Sequence, residues 1–228
     1  VEVRGGGTAG ITLRFIGGAG QDEFANLTHG GRPRFYDTDS STRTTGDAHL
    51  DTRPYSTGPK ASATTLPPRD WGSRTLPLVW AGVAPDVGVL LGGGIMWTDF
   101  GFRQQPYASR HTLRLGYATS ANQVKAEYRG DFRGENRGTH LTILARASGI
   151  ETLRFNGLGN DTRLAGSSDF YRVRQIELAL EPALAVPFGP KSVFSIGPLV
   201  RYTNTKDGNR FIDQARPYGA DRFGMVGG

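Results

Sequence analysis

The chain has 228 residues, with 33 Gly, 13 Pro and no Cys, and a formal charge of +6. The missing cysteine excludes disulfide scaffolds, Cys-ligated zinc and thiol nucleophiles, while so much Gly and Pro breaks helices, punctuates hairpins and points to β-structure. The cations are nearly all Arg and are spread through alternating segments rather than gathered in one basic block, which argues against nucleic acid as a partner.

Residues 1–37 are expected to form a small Gly-rich β region with short strands at Val1–Val3, Ile11–Ile16 and Glu23–Leu27. Within it, Gly17-Gly-Ala-Gly-Gln-Asp-Glu-Phe-Ala25 fits the calcium β-roll pattern, with Asp22 as the carboxylate and Phe24 as the inward anchor. A roll holds each ion between adjacent turns, so one copy supplies only half the ligands, and no second copy follows directly. A Gly-rich turn that needs no ion is the plainer reading. Asp22 remains the candidate metal ligand, and calcium the one candidate cofactor. The run Gly5-Gly-Gly7 opens no convincing helix, so a dinucleotide site is not expected. Residues 38–70, rich in Ser, Thr, Asp, Gly and Pro, have too little apolar surface for a core and are expected to be a linker or arm.

From Trp71 the character changes. Leu76 to Trp97 is apolar enough to suggest a spanning helix, but Pro77, Pro85, Asp86, Gly88 and Gly92-Gly-Gly94 oppose one. A two-residue period fits instead, with Val87, Val89, Leu91, Ile95 and Trp97 on one face. Five more segments alternate in the same way: His111–Ser120, Gln123–Arg133, His140–Ser148, Arg172–Val186 and Val193–Thr203. Between Gly149 and Tyr171 the pattern is opaque and leaves an extra strand or a long loop open.

An antiparallel sheet with one wet face alternates similarly. Three features favour a membrane barrel over that. The segments reach the ~9–11 residues that a tilted strand needs to cross a bilayer. Aromatics (Trp97, Phe100, Tyr107, Tyr117, Phe132, Phe155 and Tyr202) sit near segment ends, where interfacial girdles lie. The polar positions carry dense opposite charges, as a water-filled lumen would. The expected lumen-facing set is Arg114, Lys125, Glu127, Arg129, Asp131, Arg133, Arg146, Glu177, Glu181 and Arg201. Cross-strand pairing of opposite charges would also stabilise an ordinary sheet.

Several short motifs occur in order along this half. They are Trp71-Gly-Ser-Arg74, Gly101-Phe-Arg-Gln-Gln-Pro-Tyr-Ala-Ser-Arg-His111, Glu127-Tyr-Arg-Gly-Asp-Phe132, Phe155-Asn-Gly-Leu-Gly-Asn160 and Asp169-Phe-Tyr-Arg-Val173. Together they resemble the bacterial outer-membrane surface-antigen barrels of the BamA/TamA type, over about residues 70 to 228. In many of those proteins a calcineurin-like metallophosphoesterase domain lies upstream of the barrel. The resemblance implies outer-membrane residence, contact with outer-membrane lipid, and an upstream domain of the same protein as partner. It does not extend to the late Val-Arg-Gly-Tyr/Phe loop or to repeated periplasmic modules, so an assembly activity is not implied.

Catalytic chemistry finds few carriers. Asp47-Ala-His49 and Gly159-Asn160-Asp161 echo dinuclear phosphoesterase motifs, but only His29, His49, His111 and His140 exist and no second cluster follows. No Gly-x-Ser-x-Gly elbow and no P-loop are present. Val1 follows no Met and Gly228 follows the start of an apolar run, so both ends are expected to be cuts from a longer protein. The expectation is thus an all-β chain: a Gly-rich β region over 1–37, a linker over 38–70, and over 71–228 an incomplete antiparallel up-and-down membrane β-barrel, truncated at its C-terminus. Its expected role is anchoring or translocating for a larger outer-membrane protein, with no complete active site. The alternative is a secreted or periplasmic β-sandwich or adhesin-like binding module with a calcium-assisted N-terminal turn.

Overall fold

The computed structural model describes residues 2–5, 11–17, 20–29, 31–39, 41–55, 69–85, 87–150, 152–156, 166–167, 170–188, 192–205, 211 and 222–227. The chain forms two units, Val1–Leu66 and Pro67–Gly228. Every element described in either is a β-strand.

The first unit holds β1 (Glu2–Gly5), β2 (Arg14–Ile16), β3 (Glu23–Thr28), β4 (Arg34–Tyr36), β5 (Arg43–Thr45) and β6 (His49–Asp51). The odd strands form one parallel sheet and the even strands another. Successive strands alternate between the two sheets, so the chain coils as a parallel solenoid and each turn lays one strand on each sheet. Val3, Phe24 and Phe35 form the core, with Leu13, Phe15, Ala48 and Leu50 packed against them. The Phe24 and Phe35 rings stack with centroids 4.5 Å apart. Phe24 is therefore the inward anchor expected of it, fully buried.

Within the stretch 38–70, expected as a linker, Arg43–Thr45 and His49–Asp51 are strands of this coil. Arg43 pairs with Glu23, and His49 with Arg34. The strand Arg43-Thr-Thr45 leaves all three side chains exposed, so no apolar signal marks it. It is held through its backbone, as an added turn of a solenoid is.

The second unit holds β7 (Ser73–Ala84), β8 (Gly88–Gly101), β9 (Gln104–Ala118), β10 (Gln123–Arg133), β11 (His140–Ser148), β12 (Thr152–Arg154), β13 (Arg172–Phe188), β14 (Ser192–Ile196), β15 (Leu199–Thr205) and β16 (Arg222–Gly227). Its main path runs β16-β15-β13-β11-β10-β9-β8-β7, antiparallel throughout, with β12 and β14 also pairing β13. The up-and-down order expected from the alternating segments is present. Closure is not: β7 and β16 are the two edges of the sheet, and no pairing joins them among the described residues. Leu76–Trp97 forms the β7–β8 hairpin rather than a helix. The β9–β10 turn falls over residues 119–122, where Asn122 adopts a φ of 48°.

Two details depart from the alternation pattern. Val193–Thr203, expected as one strand, is split into β14 and β15. Both keep a single register on β13, with Phe194 opposite Val186 and Val200 opposite Leu180. That register brings Pro198 against Pro182, and neither proline has an N–H to give to the ladder. The opaque stretch after Gly149 contains β12, which pairs antiparallel with the start of β13.

Candidate functional site

Strand register places all ten expected lumen charges on one face of the sheet. Arg114 pairs with Glu127, Glu127 with Arg146, Arg146 with Ala179 and Ala179 with Arg201, which makes one row across β9, β10, β11, β13 and β15. Lys125, Ser148 and Glu177 form the next row, and Arg129, Leu144 and Glu181 the row on the other side. Asp131 and Arg133 complete the face, opposite Thr142 and His140.

The opposite face is apolar and uncovered among the described residues. Val79 is 90% exposed and Val124 66%, and Leu91, Leu115, Leu141, Leu180, Leu184 and Val200 are all exposed. Near the β8–β9 hairpin this face carries an aromatic group in which His111 stacks on Trp97 at 4.7 Å and meets Phe132 edge-on at 5.1 Å. Tyr128 Oη lies 2.8 Å from His111 Nδ1.

The charges are organised by ion pairs. Arg129 Nε meets Glu127 Oε1 at 2.8 Å and Arg133 Nη2 meets Asp131 Oδ2 at 3.0 Å. Arg146 bridges Glu177 at 3.6 Å and Glu181 at 3.4 Å. Glu127, 9% exposed and flanked by Arg114 and Arg146 across both neighbouring strands, is the most enclosed of the ten.

One member of this face was not legible in the alternation. Tyr107, expected among the girdle aromatics, is buried on the charged side. Asp99 pairs with Ser109 and Gly101 with Gln104, so Gln105–Ala108 bulges opposite the single residue Phe100. The bulge turns Tyr107 to the charged face, where its hydroxyl donates to Asp131 Oδ2 at 2.7 Å. The Arg110 and Arg133 guanidiniums lie 4.1 and 5.1 Å from its ring centroid. Pro106 inside a long strand was the available signal, since proline within a strand marks a bulge or an edge.

A second unforeseen feature is Trp80. It shares a row with Gly92, Gly116 and Lys125, on β7 to β10. A Cβ at Gly92 would overlap the indole, and one at Gly116 would stand 2.7 Å from Cη2, so the ring lies across both backbones. The indole is bounded by a depression of about 360 Å³ lined by Leu78, Leu90, Arg114, Lys125 and Glu127.

In the first unit, Asp22 does not stand alone. A Cβ at Gly17 would lie 2.5 Å from Asp22 Oδ2 and 2.9 Å from Asp37 Oδ2, so two successive stretches of the coil bring their carboxylates to one glycine. Asp37 is buried. Its Oδ2 accepts the Thr42 hydroxyl at 2.5 Å and its Oδ1 the Asp39 amide at 3.1 Å. These bonds, the Thr42 one foremost, hold its carboxyl below the usual carboxylate range. Among the described residues no three His, Asp or Glu side chains converge on a point that could hold a metal ion. Of the phosphoesterase echoes, Asp47 pairs with Arg32 on the exposed surface at 3.2 Å, and Gly159-Asn160-Asp161 lies outside the described residues.

Comparison with family models, curated proteins and solved structures finds no match to this chain. Fold and site define an all-β protein with a small parallel coil and a long-stranded antiparallel sheet, charged on one face and apolar on the other.

Proposed function

We propose that the antiparallel sheet is part of an outer-membrane β-barrel, with its apolar face against lipid and its charged face against a water-filled lumen. In that setting the chain anchors or translocates for a larger surface-antigen-like protein. The observation that carries this is the inversion of the sheet. Its apolar face is uncovered among the described residues, whereas soluble monomers rarely expose contiguous apolar patches beyond a few hundred Å². The lengths agree: β7 to β11 run 12, 14, 15, 11 and 9 residues, and β13 runs 17. Strands of ~9–11 residues or more cross a bilayer, while globular ones average about 5–6. Antiparallel neighbours in sequence order also match the hairpin-by-hairpin construction of such barrels.

Spin labels test it on the full chain in liposomes. Labels at Leu115 and Leu180 are expected to relax with oxygen dissolved in lipid, and labels at Lys125 and Arg201 with a water-soluble nickel complex. Apolar-face labels shielded from both relaxants would instead mean that a second sheet covers this face, as a β-sandwich requires.

A further inference from the structure

We propose that Trp80, Arg114 and Lys125 form a binding subsite on the charged face of the sheet for an organic anion with a flat apolar body. Three observations converge on it. The first is the platform. Gly92 and Gly116 are the only residue type that lets an indole lie this close to two neighbouring backbones, and together they hold Trp80 flat along its row. Beyond Gly116 the next residue of that row is Lys125, which lines the same depression as the ring.

The second is free charge. Neither Arg114 nor Lys125 has a carboxylate within salt-bridge distance among the described residues. Glu127, the carboxylate nearest in register to Arg114, is taken by Arg129 Nε at 2.8 Å. The other carboxylates of the face are likewise engaged, Asp131 by Arg133 and both Glu177 and Glu181 by Arg146. The surplus charge beside Trp80 is therefore positive.

The third is shape and mixed chemistry. The depression of about 360 Å³ joins apolar walls from Leu78, Leu90 and Trp80 to these two cations and to Glu127, whose charge is met by Arg129. That is the make-up of small-molecule pockets: apolar lining with a few convergent polar groups. Trp80 Nε1 is itself turned against the Gly92 backbone, so the ring offers the depression its apolar surface. Inorganic phosphate or chloride would use the cations but leave the platform idle. A neutral aromatic would do the reverse. An aryl phosphate, sulfonate or carboxylate uses both, its ring beside the indole and its anionic oxygens on the guanidinium and ammonium.

The subsite uses only side chains of β7 to β10 and does not depend on the sheet meeting lipid. Its test takes the full chain in the medium in which it folds, with phenyl phosphate, inorganic phosphate and benzyl alcohol as probes in ligand-observed NMR titrations. Phenyl phosphate is expected to bind saturably and more tightly than either of the others. Arg114→Gln and Lys125→Gln should each weaken it about tenfold, the scale of one charged hydrogen bond. Gly116→Val, which displaces the indole, should lower phenyl phosphate affinity toward that of inorganic phosphate. Trp80→Leu would do the same if it folds, and the two cation variants, which alter only solvent-side groups, keep the test sound if it does not. Equal affinity for phenyl phosphate and inorganic phosphate, no saturable binding, or binding unchanged in the Arg114→Gln/Lys125→Gln double variant would each overturn the proposal.

Discussion

Trp80 lies across Gly116, a residue two strands away, so closely that a methyl group at Gly116 would stand 2.7 Å from the indole Cη2. The contact ties β7 to β9 over the intervening β8. It replaces the side-chain packing that two glycines on neighbouring strands cannot supply, the role of an aromatic covering glycine in a sheet.

Gly116→Val is therefore expected to expel the ring and to destabilise the sheet by about 1–3 kcal/mol, the usual cost of overpacking. Unfolding by urea, followed by tryptophan emission, measures it. An unchanged midpoint would mean that the ring moves aside without loss.

Charge on the two faces of β10 is expected to act unequally. Ala126 lies on the apolar face, between Leu115 and Ala147 in register. In a bilayer Ala126→Arg should cost about 2–4 kcal/mol near the midplane. Lys125→Gln, one residue away on the charged face, should leave stability nearly unchanged. Folding yields into liposomes, read by heat-modifiable gel migration, compare the two. Glu127 is unsuitable as the mild control, because removing it strips Arg129 of its ion-pair partner.

Acid should loosen the N-terminal coil. The Asp37 carboxyl is held below its ordinary range by the Thr42 hydroxyl, the Asp39 amide and further hydrogen bonds. A depressed folded pKa contributes stability at neutral pH that is lost as pH falls from about 4 through the lower folded value. Amides of β3 and β4 are expected to lose hydrogen-exchange protection over that range. Asp37→Asn should lower their protection at pH 7 and flatten the acid dependence. Equal acid dependence in the variant and the parent would assign the effect to another carboxylate.

Calcium is expected to leave the coil's melting temperature unchanged even at millimolar concentration, the weak end of extracellular calcium sites. Asp37 already has both oxygens engaged by Thr42 and Asp39, and two carboxylates are few for an ion that takes six to eight oxygens. A calcium-dependent rise that Asp22→Ala abolishes would show that the paired carboxylates open to receive the ion.

Alternation by itself determined the larger unit. On β10, Val124, Ala126, Tyr128 and Phe132 against Lys125, Glu127, Arg129 and Asp131 already assign every side chain to a face, because a strand turns its residues over at each step and a one-residue slip would invert them all. The hairpin order followed from the same pattern together with short turns. Phe24 was legible as a core anchor for a similar reason, as an apolar residue at a set place in a glycine-rich motif.

Only the tertiary structure decided the rest, because it depends on residues far apart in sequence. β5 has no apolar residue and becomes a strand only because β3 offers a parallel edge. Asp22 meets Asp37 through the pitch of the coil, a quantity set by the length of the turns and not by either motif. Tyr107 changes face through a bulge in β9 that is defined against β8. Trp80, Arg114 and Lys125 come from three strands, and their adjacency follows from the register that joins those strands, a property of the pairing itself.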